Sequence, residues 1–337
     1  MILDKFSLSG KVAVVTGSGT GIGQGIAIGL AEAGADIVAV YHSADGGTPA
    51  QIEALGRKCV AVQADTSEMS CIDVIVGAAL EAFGKIDILV NCAGRIYREP
   101  ALTHCEEEWD KVQNINAKIP FYLSQRVAQQ MVEKNIKGRI INIASMNSYF
   151  GGFTVPGYTA SKTAMVGLTR AMSNEWAQYG ICVNALAPGW IATKMTKAVR
   201  DNETRNEEII SRIPAGRWGE PEDFKGPAVF LASDAAAYVS GYTIAVDGGF
   251  LGRYYLRRRR AIRAAFLDRH TAPTFFLFCS SSIFANRGRE DQLHPQGRIL
   301  FSVWDASALH LRGRCWALWH NPPAHCRFPS VDATGRQ

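Results

Sequence analysis

The string YTASK, residues 158–162, places a phenol and an ammonium group four residues apart. Residues i and i+4 of an α-helix lie on one face, so Tyr158 and Lys162 can meet if this stretch is helical. Apolar residues follow at helical spacing, at Ala164, Leu168 and Met172. We expect a helix over residues 158–179, with the pair either a surface coincidence or a tyrosine whose proton affinity a cation adjusts.

A tyrosine adjusted in this way could move a proton near neutral pH. Free tyrosine titrates at about 10, too high for an efficient base, and a neighbouring ammonium group favours the phenolate. Ser145 follows the apolar run GRIINIA and can donate a hydrogen bond to an oxygen on which charge develops. Alone, Ser145 could equally be a helix N-cap or a loop serine. Together with Tyr158 and Lys162, it predicts proton transfer at a ligand oxygen.

A second candidate site is the glycine-rich stretch near the N-terminus. In KVAVVTGSGTGIGQG, an apolar run leads through Gly17, Gly21 and Gly23 into a helical pattern. Such glycines permit a tight turn and let the backbone approach a pyrophosphate at the positive N-terminus of the next helix. The alternative is a plain strand-to-helix turn. Its position directly after the first strand of a strand–helix series favours dinucleotide binding.

The elements that must position these residues follow a regular alternation over residues 1–253. Short apolar runs alternate with longer amphipathic stretches, and the runs are KVAVVTG, DIVAVY, CVAVQAD, IDILVNCAG, GRIINIAS, CVNALAPG and YTIAVDGG. Runs rich in Val and Ile without polar alternation are typical of parallel strands buried on both faces. The predicted fold class is α/β, a single domain with a Rossmann-type doubly wound parallel sheet of about seven strands and helices on both faces.

Bulk composition narrows the class of protein. The chain is 47% hydrophobic and 20% charged, as expected of a globular domain. It has no apolar run of the roughly 18 residues that a membrane span needs, and MILDKFSLSGK has no secretory apolar region, so we expect a cytoplasmic protein. Its eight cysteines show neither paired spacing nor a metal-ligand pattern, so reduced thiols and no metal are expected.

Residues 254–337 differ in composition from the rest. They hold thirteen Arg, no Lys and five acids, a net charge of +8, which leaves −3 for residues 1–253 out of the total of +5. The first part therefore gives no reason to expect nucleic-acid binding. We interpret the second part as a disordered or non-native extension, such as a frameshifted or read-through segment. The alternative is a basic arm for nucleic acid or an anionic surface.

Together, these motifs resemble those of the short-chain dehydrogenase/reductase family. TGSGTGIG, NCAG at 91–94, Ser145, YTASK, APG at 187–189 and VDGG at 246–249 occur in the family's order and spacing, over about residues 8–253. The resemblance implies hydride transfer between a nicotinamide and an alcohol or ketone. It also implies an oligomer, usually a homotetramer.

The resemblance assigns a catalytic set. Tyr158 is the implied acid/base, Lys162 its partner and Ser145 the hydroxyl that polarises the carbonyl. Asn116 is the implied fourth member, rather than the other asparagine of NINAK, because five residues separate it from Phe121. One departure is a cysteine at residue 92, where the family usually has Asn, and we expect it to pack rather than react.

Cofactor contacts are implied in the same way, and NAD is expected. The implied contacts are Gly17, Gly21, Ile22, Gly23, Asp65, Asn91, Ala93, Gly94, Tyr158, Lys162, Pro188, Gly189 and Thr193. Asp65 would contact the adenine, although a turn aspartate is the alternative, and Thr193 would hold the carboxamide. NAD is favoured over NADP because Tyr41 and His42 end the second strand, with no Arg or Lys there or in the glycine loop to bind a 2′-phosphate.

Longer stretches resemble one subgroup that acts on sugar acids of uronate and pectin breakdown. These stretches are IINIASM, VPGYTASK, NEWA, IPAGRWGEP and GYTIAVDGGFL. The resemblance implies a small sugar-acid substrate that interconverts between ketone and secondary alcohol. Its carboxylate needs a cation, and the candidates are Arg95, Arg98, Lys194 and Arg217, each of which could instead be a solvated surface charge. Residues 190–217 resemble the family's substrate lid, which we expect to be mobile.

Three alternatives to this function are open. Within enzymes, the chain could reduce 3-oxoacyl thioesters or oxidise another polyol. It could be a binding protein that kept the fold without turnover, although the complete set of Asn116, Ser145, Tyr158 and Lys162 is against this. The extension after residue 253 could also inactivate an otherwise competent domain by obstructing assembly.

Overall fold

The structure, a computed structural model, describes residues 1–253. The predictions made for residues 254–337 lie outside the described residues. Within residues 1–253, no helix is long and apolar enough to cross a membrane. In the same range, no group of His, Cys, Asp or Glu could hold a metal ion, and the five cysteines are unpaired.

All of the apolar runs identified in the sequence form strands of one parallel sheet. The strands are β1 (Val12–Thr16), β2 (Asp36–Tyr41), β3 (Cys59–Gln63), β4 (Ile88–Asn91), β5 (Arg139–Ile143), β6 (Cys182–Pro188) and β7 (Thr243–Val246). Their order is β3-β2-β1-β4-β5-β6-β7. The order reverses between β1 and β4, and this switch point opens a crevice at the carboxyl ends of the strands. The predicted fold class is confirmed.

Helices cover both faces of this sheet. In the described residues they are α1 (Gly21–Glu32), α2 (Thr48–Ala54), α3 (Cys71–Phe83), α4 (Glu106–Gln113), α5 (Ile119–Glu133), α6 (Pro156–Trp176), α7 (Lys197–Arg200), α8 (Glu203–Arg212) and α9 (Lys225–Ala232). Alternate residues of β1 feed the two sides, because strand side chains alternate between faces. Ala13 and Val15 pack with α1 and α9, whereas Val12 and Val14 pack with α3 and α5.

A π-helical turn, Asn114–Lys118, joins α4 to α5. Such widened turns are rare and often occur at functional sites. Here the turn carries Asn116, which is only 1% exposed. The irregular turn thus contains the residue that the family resemblance assigned to the catalytic set.

Residues 190–217, which we call the lid, leave the sheet after β6. They contain a short turn (Lys194–Thr196) and the helices α7 and α8. The lid has an apolar cluster of its own, in which Ile209 and Ile213 pack with Met146 and Phe250. It is therefore packed on the cavity side of the fold rather than into either sheet face.

Candidate active site

A cavity of about 990 Å³ opens at the carboxyl ends of the strands. Its wall is built from the glycine loop, the ends of β4, β5 and β6, the start of α6, and the lid. The predicted site residues that line it are Gly17, Gly21, Ile22, Gly23, Ala93, Gly94, Ser145, Tyr158, Lys162, Pro188, Gly189 and Thr193. Segments separated by more than a hundred residues are thus brought to one cavity by the sheet.

Tyr158 and Lys162 lie in the first turns of α6, as the helical spacing predicted. Lys162 is 5% exposed, and its Nζ donates a hydrogen bond of 2.7 Å to the carbonyl oxygen of Ile143. The same nitrogen lies 5.8 Å from the centroid of the Tyr158 ring. The two side chains share a helix face and line the same cavity, rather than forming a surface pair.

Burial dominates the electrostatics of this pair. It raises the pKa of Tyr158 above its ordinary value, while the Ser145 hydroxyl and the charge of Arg98 lower it. Burial also lowers the pKa of Lys162 from 10.5 to about 8. The sequence argument expected Lys162 to lower the pKa of Tyr158. In the protein alone, desolvation outweighs the neighbouring charges, among which that of Arg98 lowers the pKa, and the effect of Lys162 on the phenolate stays a prediction. At neutral pH the phenol holds its proton.

Ser145 fills one of the two roles considered for it, that of a cap. Its Oγ accepts a hydrogen bond of 3.1 Å from the amide of Asn147, which caps the turn that follows β5. A hydroxyl that accepts from an amide still has its hydrogen to donate. The cap therefore orients Ser145 without using the hydrogen that a ligand oxygen would accept.

Asn116 lies behind the cavity wall, not in it. Its Oδ1 accepts from the amide of Arg95 at 2.9 Å, and its Nδ2 donates to the carbonyl of Arg95 at 2.9 Å and to Oγ of Ser161 at 3.0 Å. Ser161 in turn donates to the carbonyl of Tyr158 at 2.8 Å. Asn116 thus ties the loop after β4 to the first turn of α6.

The glycine loop forms a cradle with no room for side chains. Gly17 has a φ of +70°, and a Cβ there would lie 3.0 Å from the backbone of Ala93. A Cβ on Gly23 would overlap the carbonyl oxygen of Gly17, and one on Gly21 would lie 3.2 Å from Thr193. The loop after β2 is equally close, because a Cβ on Gly46 would overlap the carbonyl oxygen of Gly19. The bare backbone at the N-terminus of α1 fits the pyrophosphate of a dinucleotide.

The wall of the cavity is rich in cations. Apart from Lys162, the basic residues that line it are Arg98, Lys194, Arg205 and Arg212, and none of its described lining residues is Asp or Glu. Two of the predicted carboxylate-binding candidates lie elsewhere and are neutralised. Arg95 pairs with Glu108, and Arg217 donates to both oxygens of Asp223 at 2.7 and 2.8 Å. The other two predicted candidates, Arg98 and Lys194, line the cavity.

Comparison with known proteins decides the family. Residues 17–251 match the family model described as enoyl-(acyl carrier protein) reductase. Over 253 residues the chain is 54% identical to a 2-dehydro-3-deoxy-D-gluconate 5-dehydrogenase of Dickeya dadantii, which covers 75% of this chain and 100% of the relative. The chain belongs to the short-chain dehydrogenase/reductase family. The resemblance to the subgroup suggested by the longer motifs is also confirmed, since relatives of the same name from Escherichia coli and Bacillus subtilis are 54% and 52% identical.

Solved members of the family share the fold. A gluconate 5-dehydrogenase from Beutenbergia cavernae, provisionally named and with NADP bound at low occupancy, is 47% identical with a TM-score of 0.70, over 74% of this chain and 100% of that one. A gluconate 5-dehydrogenase from Burkholderia cenocepacia, in complex with NADP and tartrate, is 36% identical with a TM-score of 0.71, over 75% and 100%. This chain is thus a nicotinamide-dependent short-chain dehydrogenase/reductase that acts on CH–OH groups.

Two predicted contact residues of the family site are not in the cavity wall. Asn91 is 4% exposed and donates to Ser124 and Asn142, each at 2.9 Å. Asp65 accepts from the amide and the hydroxyl of Ser67 at 2.9 and 2.7 Å, the arrangement of a turn aspartate. The contact of Asp65 with an adenine stays a prediction.

Thr16 is a residue of the site that sequence reasoning missed. Its Oγ1 accepts from the amides of Cys92 and Ala93 at 3.0 and 3.1 Å and donates to the carbonyl of Val90 at 3.3 Å. It therefore fastens the end of β1 to the end of β4, directly under the glycine cradle. The available signal was a polar residue that ends an apolar strand just before the glycine loop.

Cys92 is the departure from the family pattern noted in the sequence. It lines the cavity, and burial raises the pKa of its thiol to about 12. Because the thiolate is the reactive form, a thiol with so high a pKa is inert at neutral pH. The side chain packs against the core cluster beneath α1, as expected.

Proposed function

We propose that the protein interconverts a secondary alcohol and a ketone on a sugar acid of the 2-dehydro-3-deoxy-D-gluconate or 2-deoxy-D-gluconate type, with NAD(H) as its cofactor. One observation carries the proposal: a single cavity joins Ser145, Tyr158 and Lys162 to a wall of cations with no acid among its described lining residues. A cavity of that charge suits a carboxylate-bearing substrate. The relatives named for the same substrate class support it.

In this proposal, each residue has one role at the reacting oxygen. The reduced nicotinamide, when bound, supplies a hydride to the carbonyl carbon. Ser145 donates a hydrogen bond to the carbonyl oxygen, and Tyr158 gives that oxygen its phenolic proton. The raised pKa of Tyr158 keeps the phenol protonated and ready for this step. Oxidation runs the same transfers backwards.

Lys162 and Asn116 act through Tyr158 and its helix. Lys162, held on the Ile143 carbonyl, places a positive charge near the ring and stabilises the phenolate left after proton transfer. Asn116 fixes the first turn of α6 through Ser161 and Arg95. We therefore assign Asn116 as a positioning residue of the catalytic set.

For the cofactor, NAD is proposed, with NADP as the alternative. The residues at the end of β2 are Tyr41 and an exposed His42, whose Nε2 lies 3.7 Å from Asp65. An acid at this point disfavours a 2′-phosphate. The alternative, NADP, is supported by the solved structures of relatives with NADP bound.

Arg98 is the proposed partner of the substrate carboxylate. It lines the cavity, and its charge acts on the pKa of Tyr158 in the direction opposite to the larger effect of burial. A carboxylate held by Arg98 would place the rest of a small sugar acid beside the phenol. We further propose that residues 1–253 act as the catalytic unit, within a cytoplasmic homotetramer, and that residues 254–337 are an extension outside it.

The test is an absorbance assay of nicotinamide reduction and oxidation with the full chain. NAD and NADP are each paired with 2-deoxy-D-gluconate and with 2-dehydro-3-deoxy-D-gluconate for oxidation of a hydroxyl group, and their reduced forms with acetoacetyl-CoA for reduction. Turnover of the sugar acids with NAD, abolished by Tyr158→Phe, is the expected result. Turnover of acetoacetyl-CoA alone would replace the sugar-acid assignment by a thioester reductase, and a higher kcat/KM with NADP would overturn the cofactor preference.

A further inference from the structure

The lid helix α8 carries two arginines that the function above leaves unused. Arg205 and Arg212 both line the cavity. They are seven residues apart, which is two turns of an α-helix, so they lie on one face. This face is turned to the cavity by Ile209 between them, which is 1% exposed and packs into the lid cluster.

Arg212 is held in place by an aromatic wall. Its guanidinium lies 5.4 Å from the centroid of the Phe250 ring, and the guanidinium of Arg253 lies 4.5 Å from the same centroid. Phe250 is 5% exposed and lines the cavity. A guanidinium over an aromatic face does not use its N–H groups in that contact, so they can bind an anion. Arg205 donates a hydrogen bond of 2.8 Å to Glu208, which partly neutralises its charge. Arg212 is therefore the stronger candidate for binding an anion.

Arg98 and the two lid arginines lie on different parts of the cavity wall. Arg98 belongs to the loop after β4, whereas Arg205 and Arg212 belong to α8 of the lid. The cavity thus offers cations on two separate walls.

We infer that Arg212, supported by Arg205, forms a second anion subsite at the lid end of the cavity. It would bind a second negative group, a carboxylate or a phosphate, on a substrate whose first carboxylate lies at Arg98. The inference rests on the proposed function and extends it, since it adds sugar acids with a negative group at both ends to the substrates with one carboxylate. A single carboxylate cannot use both walls of the cavity at once.

The test compares D-gluconate, which has one anionic group, with two compounds that have an anionic group at each end, D-glucarate and 6-phospho-D-gluconate. For each, kcat/KM is measured in the wild type, Arg212→Gln, Arg212→Lys and Arg205→Gln, with Lys197→Gln as matched control. Lys197 is a lid cation that pairs with Asp201 and does not line the cavity. The second anionic group is a carboxylate in D-glucarate and a phosphate in 6-phospho-D-gluconate, so comparing the two compounds distinguishes a carboxylate subsite from a phosphate subsite.

For D-glucarate and 6-phospho-D-gluconate, kcat/KM is divided by the kcat/KM for D-gluconate. In Arg212→Gln this ratio should fall about 10- to 100-fold for the compound whose second anionic group the subsite binds. Arg212→Lys should recover part of the loss, Arg205→Gln should show a smaller loss, and Lys197→Gln should keep the wild-type ratio. An unchanged ratio in both Arg212→Gln and Arg205→Gln, or an equal fall in Lys197→Gln, overturns the subsite. Thermal unfolding of each variant identifies any that fails to fold, and Arg205→Gln then carries the test.

A binding measurement separates this inference from the proposed function. If the wild type oxidises none of the three compounds, the thermal shift caused by D-glucarate and 6-phospho-D-gluconate is compared between wild type and Arg212→Gln. A larger shift in the wild type supports the subsite while the sugar-acid activity fails. Equal shifts overturn the subsite as well.

Discussion

The glycine cradle and the lid face each other across one cavity and are built in opposite ways. In the cradle, backbone meets backbone so closely that a Cβ on Gly17 would touch Ala93 and one on Gly23 would overlap Gly17. In the lid, α8 has one buried residue, Ile209, and its polar side chains make ion pairs in contact with water. The cradle is fixed by shape, whereas the lid is attached by a small apolar cluster.

This difference suggests how the two parts divide the work. Hydride transfer requires fixed distances, so the residues proposed for chemistry stand on the sheet and on α6. Choice among substrates requires adaptable contacts, and the lid supplies Lys194, Arg205 and Arg212. Surface ion pairs of the kind found in the lid contribute little stability, so the lid can change without cost to the body.

The largest expected effect concerns the body of the protein, by which we mean residues 1–253 without the lid. Tyr158→Phe removes the phenolic proton and should lower kcat by about 10²–10⁴-fold, because a positioned acid contributes that much. The variant keeps the ring and should still bind NADH, measured by nicotinamide fluorescence. Tyr149→Phe is the control, since Tyr149 is half exposed and outside the wall of the active-site cavity. An unchanged kcat in Tyr158→Phe would remove the tyrosine from the mechanism.

The next largest effect is the pH dependence of the free energy of unfolding, compared between Lys162 in the body and Lys197 in the lid. Lys162 loses its proton at a pH of about 8 when folded but at 10.5 when unfolded, because burial lowers its pKa. Between these values the unfolded state binds more protons, so the Lys162 contribution to the free energy of unfolding rises with pH. The rise is on the order of 3 kcal/mol in total.

Urea unfolding of wild type and Lys162→Met at several pH values measures this contribution by difference. The difference should change steadily from pH 8 upwards and be flat below it. The same comparison with Lys197→Met, an exposed lysine of the lid, should give no such change. A flat difference for Lys162 across the whole range would mean that its charge is not buried.

Gly23→Ala tests the close packing of the cradle. The added methyl group would overlap the Gly17 carbonyl, so the backbone must move. We expect a loss of about 1–3 kcal/mol in the free energy of unfolding, with weaker binding of NADH. Gly77→Ala in α3 is the control, because nothing lies within 4 Å of its Cβ position, and it should gain about 0.5–1 kcal/mol. Equal stabilities for the two variants would contradict the packing argument.

The smallest effect separates lid opening from global unfolding. Ile209→Val removes one methylene group from the lid cluster and should speed amide hydrogen exchange within residues 190–217 by about 2- to 10-fold. The amides of the sheet should keep their protection. Ile37→Val, in the core beneath α1, is the matched variant. It should speed exchange of the sheet amides and leave exchange within residues 190–217 unchanged. Faster exchange of both regions in both variants would show that lid and body unfold as one unit.

The fold and the meeting of Ser145, Tyr158 and Lys162 in one cavity were predictable because their signals are local. Unbroken runs of Val and Ile marked the strands, and the spacing of YTASK marked the face of α6. The division of the arginines between the cavity and surface ion pairs was not predictable, because it depends on contacts that form only on folding. Arg95 meets Glu108 and Arg217 meets Asp223 only in the folded chain, and no spacing in the sequence links Arg212 to Phe250. The raised pKa of Tyr158 was not predictable either, because it results from burial, and burial cannot be read from neighbours in the sequence.

The contact between the glycine loop and the loop after β2 has a consequence for coenzyme engineering. A side chain at residue 46 would collide with the Gly19 carbonyl, and one at residue 19 would collide with the carbonyl of Ala44. A library that seeks to alter the choice between NAD and NADP should therefore keep both glycines and vary His42, which is exposed and lies 3.7 Å from Asp65. An arginine introduced at His42 reaches outward from the end of β2 without disturbing the backbone contact that shapes the cradle.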